Sequence, residues 1–133
     1  MFVASIVMVV LLGVFPVYFT PLMGIRTVEQ VFSKDKSLVL KKDWEPIEKI
    51  SPHLYLAVIA SEDQKFLSHG GFDWEALESA FKGNKSGKAL KGGSTISNQT
   101  AKNVFLWPGR NFVRKGLEAY FTVLIEFLWG KER

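Results

Sequence analysis

Acidic side chains stand where an apolar stretch of the sequence ends. Glu62 and Asp63 come shortly after LYLAVI, residues 54–59, which is typical of a buried helix, and a buried helix needs no carboxylates at its end. Another carboxylate, Glu118, lies much further along, beside a basic segment. Two separated carboxylates that flank a basic groove suit glycosyl chemistry, in which one takes a proton and the other manages charge at the departing side. Glu62 and Glu118 are therefore the candidate catalytic residues.

Glu118 also has a purely structural interpretation. Arg114 precedes it by four residues, so the two share one helix face, and Thr122 and Glu126 continue the same stripe. An exposed pair of this kind is an ordinary helix salt bridge worth about 0.3–0.5 kcal/mol. Taken alone, the pair favours that interpretation. Taken together with the acids at the end of the apolar helix, it favours a site.

The segment between Glu78 and Glu118 contains no acidic residue, so its field favours a polyanionic partner. Its basic residues are Lys82, Lys85, Lys88, Lys91, Lys102, Arg110, Arg114 and Lys115. The loop lysines between 85 and 91 are more simply a solvated face. The last basic residues follow a Gly-Gly-Ser-Thr helix start, residues 92–95, whose free backbone N–H groups form a phosphate cradle. Stacking aromatics do not alternate with these cations in a recognised nucleic-acid-binding pattern, so a phosphorylated ligand at a membrane surface is favoured over nucleic acid.

Local signals predict a mainly α protein in which helices position these residues. Four helices are predicted, over about 52–68, 74–81, 95–105 and from 111 onward. Ser51-Pro52, Asp73 and Ser94 or Thr95 mark helix starts, and Gly70-Gly71 stops the first helix. The side chains expected in the core are Phe66, Phe72, Trp74, Leu77, Phe81, Trp107, Leu117, Tyr120, Phe121, Leu124 and Leu128.

The amino-terminal segment predicts a membrane anchor. Residues 1–25 carry no charged side chain, and about 20 apolar residues suffice to cross a bilayer as a helix. A cleaved secretion signal fits less well, because no basic start precedes the apolar run and no A-x-A-like site follows it. We expect an anchor over 1–25, a linker over 26–43 and one domain over 44–133. The absence of cysteine excludes disulfides and cysteine-based metal sites.

Three ordered stretches resemble a known family. EDQKFLSHGGFD, residues 62–73, resembles the first motif of the peptidoglycan glycosyltransferases of glycosyltransferase family 51, E-D-x-x-F-x-x-H-x-G-x-D. GGSTISNQTAKN, residues 92–103, resembles the second, G-G-S-T-I-x-Q-Q-x-x-K-N, and departs from it at Asn98. RKGLEA, residues 114–119, resembles the third, R-K-x-x-E. The surrounding sequence is most similar to the monofunctional biosynthetic transglycosylases.

The resemblance implies a fold, a location and a reaction. The domain would be part of a lysozyme-like helical fold, carried by a single-pass anchor in the bacterial inner membrane, with the catalytic side facing the periplasm. Such enzymes polymerise lipid II into glycan strands with inversion and release undecaprenyl diphosphate. The implied partners are lipid II, the growing glycan chain and the membrane, together with cell-wall synthases or division proteins, and no nucleic acid.

The resemblance also implies a role for each matching residue. Glu62 would be the general base, and Glu118 would assist the diphosphate end, for which a divalent metal such as Mg²⁺ bound by Glu118 is one means. The residues expected at the substrate diphosphate are Lys102, Arg110, Arg114, Ser94, Thr95 and Gln99. The supporting residues are Asp63, Phe66, His69 and Lys115, of which His69 is expected to satisfy local backbone groups.

One departure from the family pattern bears on activity. The family continues with a further motif and further helices after the third motif, and here the sequence stops at WGKER. A truncated domain that only binds the polyprenyl diphosphate lipid or a partner synthase is therefore the alternative function. A lysozyme-like cleaving enzyme is a third hypothesis, but it requires a lone catalytic acid and no phosphate-binding cations.

Overall fold

The computed structural model describes residues 2–33, 39–85, 92–109 and 111–133, and these residues are mainly helical. The helices are α1 Phe2–Val14, α2 Pro21–Phe32, α3 Pro52–Glu62, α4 Trp74–Lys85, α5 Ile96–Phe105 and α6 Phe112–Leu128. A 3₁₀ turn, Ile47–Lys49, precedes α3. No strand occurs in the described ranges. The predicted mainly α class is confirmed.

Three helices begin where their capping residues predict. Thr95 caps α5 at 3.2 Å, Asn111 caps α6 at 2.7 Å and Asp73 caps α4 at 2.9 Å, each side-chain oxygen accepting the N–H three residues on. Such caps satisfy donors that a helix start leaves free. Ser51 makes no side-chain cap, so α3 begins with Pro52 at its first position alone.

Helix α3 is shorter and more exposed than the sequence predicts. It ends at Glu62 instead of near residue 68, and turns follow it. None of its residues is buried, and Leu54 and Leu56 are 59% and 54% exposed. The prediction of a buried helix over 54–59 is therefore wrong. The physical reason is that the main helix contacts of the described chain join α5 to α6, α1 to α6 and α2 to α5, and so leave α3 uncovered.

The hydrophobic core lies where α5 and α6 meet, with α1 against α6. Its buried members are Val9, Ala101, Phe105, Leu106, Phe121 and Ile125, with Leu117, Tyr120 and Leu124 packed at the margin. Phe105 and Phe121 stack with ring centroids 4.5 Å apart. The predicted burial of Trp74, Phe81, Trp107 and Leu128 is wrong. These side chains are 72%, 66%, 38% and 45% exposed, because the sequence pattern alone does not determine which surfaces the rest of the fold covers.

The amino-terminal helix contacts α6 and the residues that follow it. Trp129 Nε1 donates to the Val9 carbonyl at 2.8 Å, and Arg133 donates to the Leu12 carbonyl at 2.6 Å near the end of α1. Gly13 permits this approach, since a Cβ there would lie 2.8 Å from the Trp129 ring. In the described part of the chain, no helix combines the length and apolarity needed to cross a bilayer, so the spanning helix predicted for 1–25 is not confirmed.

Candidate active site

Glu62 lies at the rim of a polar cleft. It is the last residue of α3, its side chain is exposed, and its Oε2 accepts a hydrogen bond from Gln99 Nε2 at 2.9 Å. The cleft has a volume of about 360 Å³. Its lining residues are Ser61, Glu62, Asp63, Gln64, Lys65, Asp73, Ala76, Gly92, Gly93, Ser94 and Thr95. The first predicted motif and the start of the second therefore form one cavity, with an exposed carboxylate at its edge.

Two backbone N–H groups at the start of α5 already donate to side chains of the protein itself. Asp63 Oδ2 accepts the Ile96 N–H at 3.0 Å, and Thr95 Oγ1 accepts the Asn98 N–H at 3.2 Å. Thr95 is 3% exposed and also donates to the Gly71 carbonyl at 2.6 Å. The phosphate cradle predicted at this helix start thus has two of its positions filled by internal acceptors. Ser94 differs from Thr95, because it is exposed in the cleft.

Glu118 is buried in an ion pair on α6. Its side chain is 5% exposed, its Oε2 accepts from Arg114 at 3.1 Å, and its Oε1 accepts from Lys115 at 2.5 Å. The interpretation of Arg114 and Glu118 as an exposed surface pair is therefore wrong. Arg114 is itself 8% exposed, and its Nε is buried without a hydrogen-bond partner among the described residues. Lys115 lies at the surface with its side chain 57% exposed.

Helix α5 lies between the two candidate carboxylates. On one side Gln99 contacts Glu62, and on the other Asn98 Oδ1 lies 2.9 Å from Thr122 Oγ1, one turn after Glu118. Glu118 does not line the polar cleft that Glu62 borders, so the two carboxylates do not share that cleft. They are connected through adjacent residues of α5 instead.

The remaining predicted site residues lie at different depths. Lys102 is partly exposed on α5, one turn beyond Gln99. Phe66 is half-buried, with the Lys131 ammonium 4.5 Å from its ring centroid. His69 contacts Asp63 and Gly71. Arg110, predicted at the diphosphate, lies outside the described residues.

The pKa of Lys65, which lines the cleft, is shifted by its neighbours. The ammonium of Lys65 donates a hydrogen bond to the Glu75 carboxylate, and this bond raises the pKa of Lys65 above its ordinary value of 10.5. The charges of Glu75 and Asp73 act in the same direction, while burial opposes them. Lys65 therefore remains a cation at the rim of the cleft at neutral pH.

The described donors do not fit a resident divalent metal at Glu118. Each of its oxygens already faces a cation, at 3.1 Å and 2.5 Å, and a metal ion there would be repelled by both. No group of three or more metal-binding side chains occurs in the described part of the chain. A hard divalent ion prefers several oxygen ligands.

Two residues outside the predicted set support the site. Glu126 accepts hydrogen bonds from Ser97 Oγ and, at 2.7 Å, from Lys131 Nζ, which also donates to the His69 carbonyl at 3.0 Å. The four-residue spacing of Glu118, Thr122 and Glu126 is the sequence signal for Glu126. Lys131 has no such signal, because its contacts depend on how the chain folds back after α6.

The fold and the site together define a mainly helical domain. It has an exposed carboxylate at a polar cleft and a buried ion pair on α6. Comparison with known proteins gives the family. The sequence model described as transglycosylase matches residues 28–133. The chain belongs to the transglycosylase family.

Curated relatives agree with this membership. A biosynthetic peptidoglycan transglycosylase of Caulobacter vibrioides is 56% identical over 128 residues, which are 96% of this chain and 53% of the relative. One of Bacteroides thetaiotaomicron is 54% identical over 132 residues, 99% of this chain and 53% of the relative. One of Bdellovibrio bacteriovorus is also 54% identical over 132 residues, which are 99% of this chain and 52% of the relative. The chain spans about half the length of the curated relatives it matches.

Proposed function

We propose that this chain carries the catalytic carboxylate of a peptidoglycan glycosyltransferase, which polymerises lipid II into glycan strands with inversion and releases undecaprenyl diphosphate. The observation that supports this most directly is Glu62. Its Oε2 accepts from Gln99, while its Oε1 has no hydrogen-bond partner among the described residues, and the side chain borders an open polar cleft. A carboxylate held at one oxygen and free at the other suits a general base.

The proposed reaction uses that free oxygen. Glu62 takes the proton of the acceptor's sugar 4-hydroxyl as the hydroxyl oxygen bonds to the anomeric carbon of the lipid-linked chain. The bond between that carbon and the diphosphate oxygen breaks, and the electron pair leaves with undecaprenyl diphosphate. A positioned base contributes about 10²–10⁴-fold to such a step. The departing diphosphate is already an anion, so it needs nearby positive charge more than a proton.

The cations proposed for the diphosphate are Lys102, Arg110 and Arg114. Arg114 is supported by its buried Nε, which has no acceptor within the described ranges and which a phosphate oxygen could satisfy. Its ion pair with Glu118 holds the guanidinium in one orientation. Glu118 is thus proposed to assist the diphosphate end through Arg114 and Lys115. Ser94 is proposed as a polar contact in the cleft.

We further propose that the protein works at the periplasmic face of the bacterial inner membrane, where a polyprenyl substrate resides. The support is the uncharged segment 1–25, together with the apolar side chains that α1 and α2 leave exposed, such as Val14 at 76% and Phe32 at 82%. Fractionation with alkaline carbonate extraction tests this proposal. The chain should stay with the membrane pellet, and its recovery in the supernatant would oppose membrane attachment.

A lipid-binding role without turnover is the second candidate. It is favoured by Glu118, because Arg114 and Lys115 hold both of its oxygens and its side chain is only 5% exposed, so this second carboxylate is not open to a substrate. Polymerisation of lipid II by the chain separates the two candidates. Glycan formation supports the transferase, and binding of lipid II without glycan supports the second candidate.

Matched variants make that assay specific. Glu62→Gln keeps the shape and the acceptor for Gln99 but removes the base, so glycan formation should fall by about 10²–10⁴-fold with lipid II binding little changed. Glu78→Gln is the control, because Glu78 lies on α4 in an exposed pair with Lys82 at 2.6 Å. Equal activity of the two variants would contradict the role given to Glu62.

A further inference from the structure

One buried carboxylate joins three segments of the candidate site. The side chain of Asp63 is 3% exposed, its Oδ2 accepts the Ile96 N–H at 3.0 Å, and both of its oxygens lie 3.0 Å from His69 Nε2. Its own N–H donates to the Ile59 carbonyl at 3.0 Å and closes α3. The end of α3, the turn at residues 69–71 and the start of α5 therefore meet at Asp63.

The contacts of His69 determine where its ring proton lies. The Gly71 N–H donates to Nδ1 at 3.1 Å, and a backbone N–H can only donate, so Nδ1 is an acceptor without a proton. The single proton of the neutral ring is then on Nε2 and points at the Asp63 carboxylate. Lys131 also holds this turn, since its Nζ donates to the His69 carbonyl at 3.0 Å.

We propose that Asp63 and His69 are a positioning pair for Glu62, with His69 held as the neutral Nε2–H tautomer. Glu62 immediately precedes Asp63, and its partner Gln99 lies one turn beyond Ile96 on α5. The bond from the Ile96 N–H to Asp63 thus sets the separation of Glu62 from Gln99. His69 keeps the Asp63 carboxylate turned toward α5. The catalytic consequence rests on the proposed function, whereas the geometry does not.

Two substitutions at His69 separate its two hydrogen bonds. The Nε2 of glutamine takes the place of His69 Nε2, so His69→Gln keeps a donor to Asp63 and loses the acceptor for the Gly71 N–H. The Oδ1 of asparagine takes the place of Nδ1, so His69→Asn keeps that acceptor, as in an Asx turn, and loses the donor to Asp63. His53 is the other histidine in the chain and is exposed on α3. His53→Gln is therefore the control and assigns the spectra.

Nitrogen-15 spectra of the histidine rings and the Gln99 side-chain amide test the geometry without turnover. His69 should give the signals of the neutral Nε2–H tautomer at neutral pH, with His53 averaging between tautomers. The Gln99 amide shifts should stay at their wild-type values in His69→Gln and move toward solvated values in His69→Asn. A protonated or Nδ1–H ring at His69 would overturn the proposal, as would equal Gln99 shifts in the two variants.

Lipid II polymerisation tests the consequence. A positioning role predicts that kcat falls about tenfold or more in His69→Asn, equivalent to about 1.4 kcal/mol of barrier, while KM changes little. His69→Gln should restore most of the activity. A purely structural role instead lowers the folded fraction of both variants and leaves kcat per folded molecule equal, and that result would overturn the positioning role. If the wild-type chain makes no glycan, the proposed function fails, and the ring and Gln99 spectra alone decide the geometry.

Discussion

Gly71 offers the sharpest test of how the first motif packs against α6. Its φ is +89°, in the left-handed region, and a Cβ there would lie 2.8 Å from both Glu126 Cγ and Thr122 Cγ2. An alanine at this position meets backbone strain of about 1–2 kcal/mol. It also meets overpacking of about 1–3 kcal/mol, because Thr122 is fully buried and cannot move aside. The stiffer unfolded chain of the variant offsets about 0.4–1 kcal/mol of these costs, so Gly71→Ala should lower the free energy of unfolding by roughly 1–4.5 kcal/mol.

The neighbouring glycine is the matched control. A Cβ on Gly70 would meet nothing within 4 Å, and its φ is not positive, so Gly70→Ala should leave stability unchanged or raise it by up to about 1 kcal/mol. Urea unfolding followed by circular dichroism measures both variants against the wild type. If the two variants unfold within about 0.5 kcal/mol of each other, the close approach of the 69–71 turn to α6 is refuted.

Three further predictions follow from the buried contacts and from the raised pKa of Lys65. Glu118→Gln leaves the Arg114 guanidinium buried without its carboxylate, so the free energy of unfolding in urea should fall by about 3–5 kcal/mol. Thr95→Ala removes the cap of α5 and should cost about 1–2 kcal/mol in the same assay, whereas Thr95→Ser, which keeps the hydroxyl, should cost much less. Glu75→Gln should lower the pKa of Lys65 toward 10.5 in a side-chain NMR titration. Since folding raises that pKa, the stability that this pair contributes is present at neutral pH and is lost as pH rises through the pKa of folded Lys65. An unchanged pKa of Lys65 in the variant would show that Glu75 does not cause the shift.

Much of the local structure could be predicted because its causes are local. Thr95, Asn111 and Asp73 cap the helices that follow them, and each cap needs only an N–H three residues away. The motif around Glu62 likewise lies in one short stretch, so the sequence alone predicts a carboxylate at a helix end. Leu128 was predicted in the core from its spacing but is exposed, because periodicity identifies a helix face without saying what covers it.

The spacing of charged residues in the sequence does not predict which of them are buried or which partners they bind. Arg114 and Glu118 have the interval of an ordinary surface pair, yet both are buried, because the packing of α6 against its neighbours decides their exposure. Asp63 bonds to Ile96, which is 33 residues away, and such a partner is chosen only when α3 and α5 come together. The phosphate cradle predicted at the start of α5 was wrong in part for the same reason, since the carboxylate that fills it comes from elsewhere in the chain.

By itself, then, the amino-acid sequence determined a helical protein, the starts of its helices, the transglycosylase motifs and a carboxylate at the end of an apolar helix, because each depends on residues within a few positions of one another. Only the tertiary structure decided that Glu62 stays open to a cleft while Asp63 and Glu118 are enclosed by partners. Burial and hydrogen bonding between distant residues control which carboxylates remain free to react, and both arise only when the helices pack.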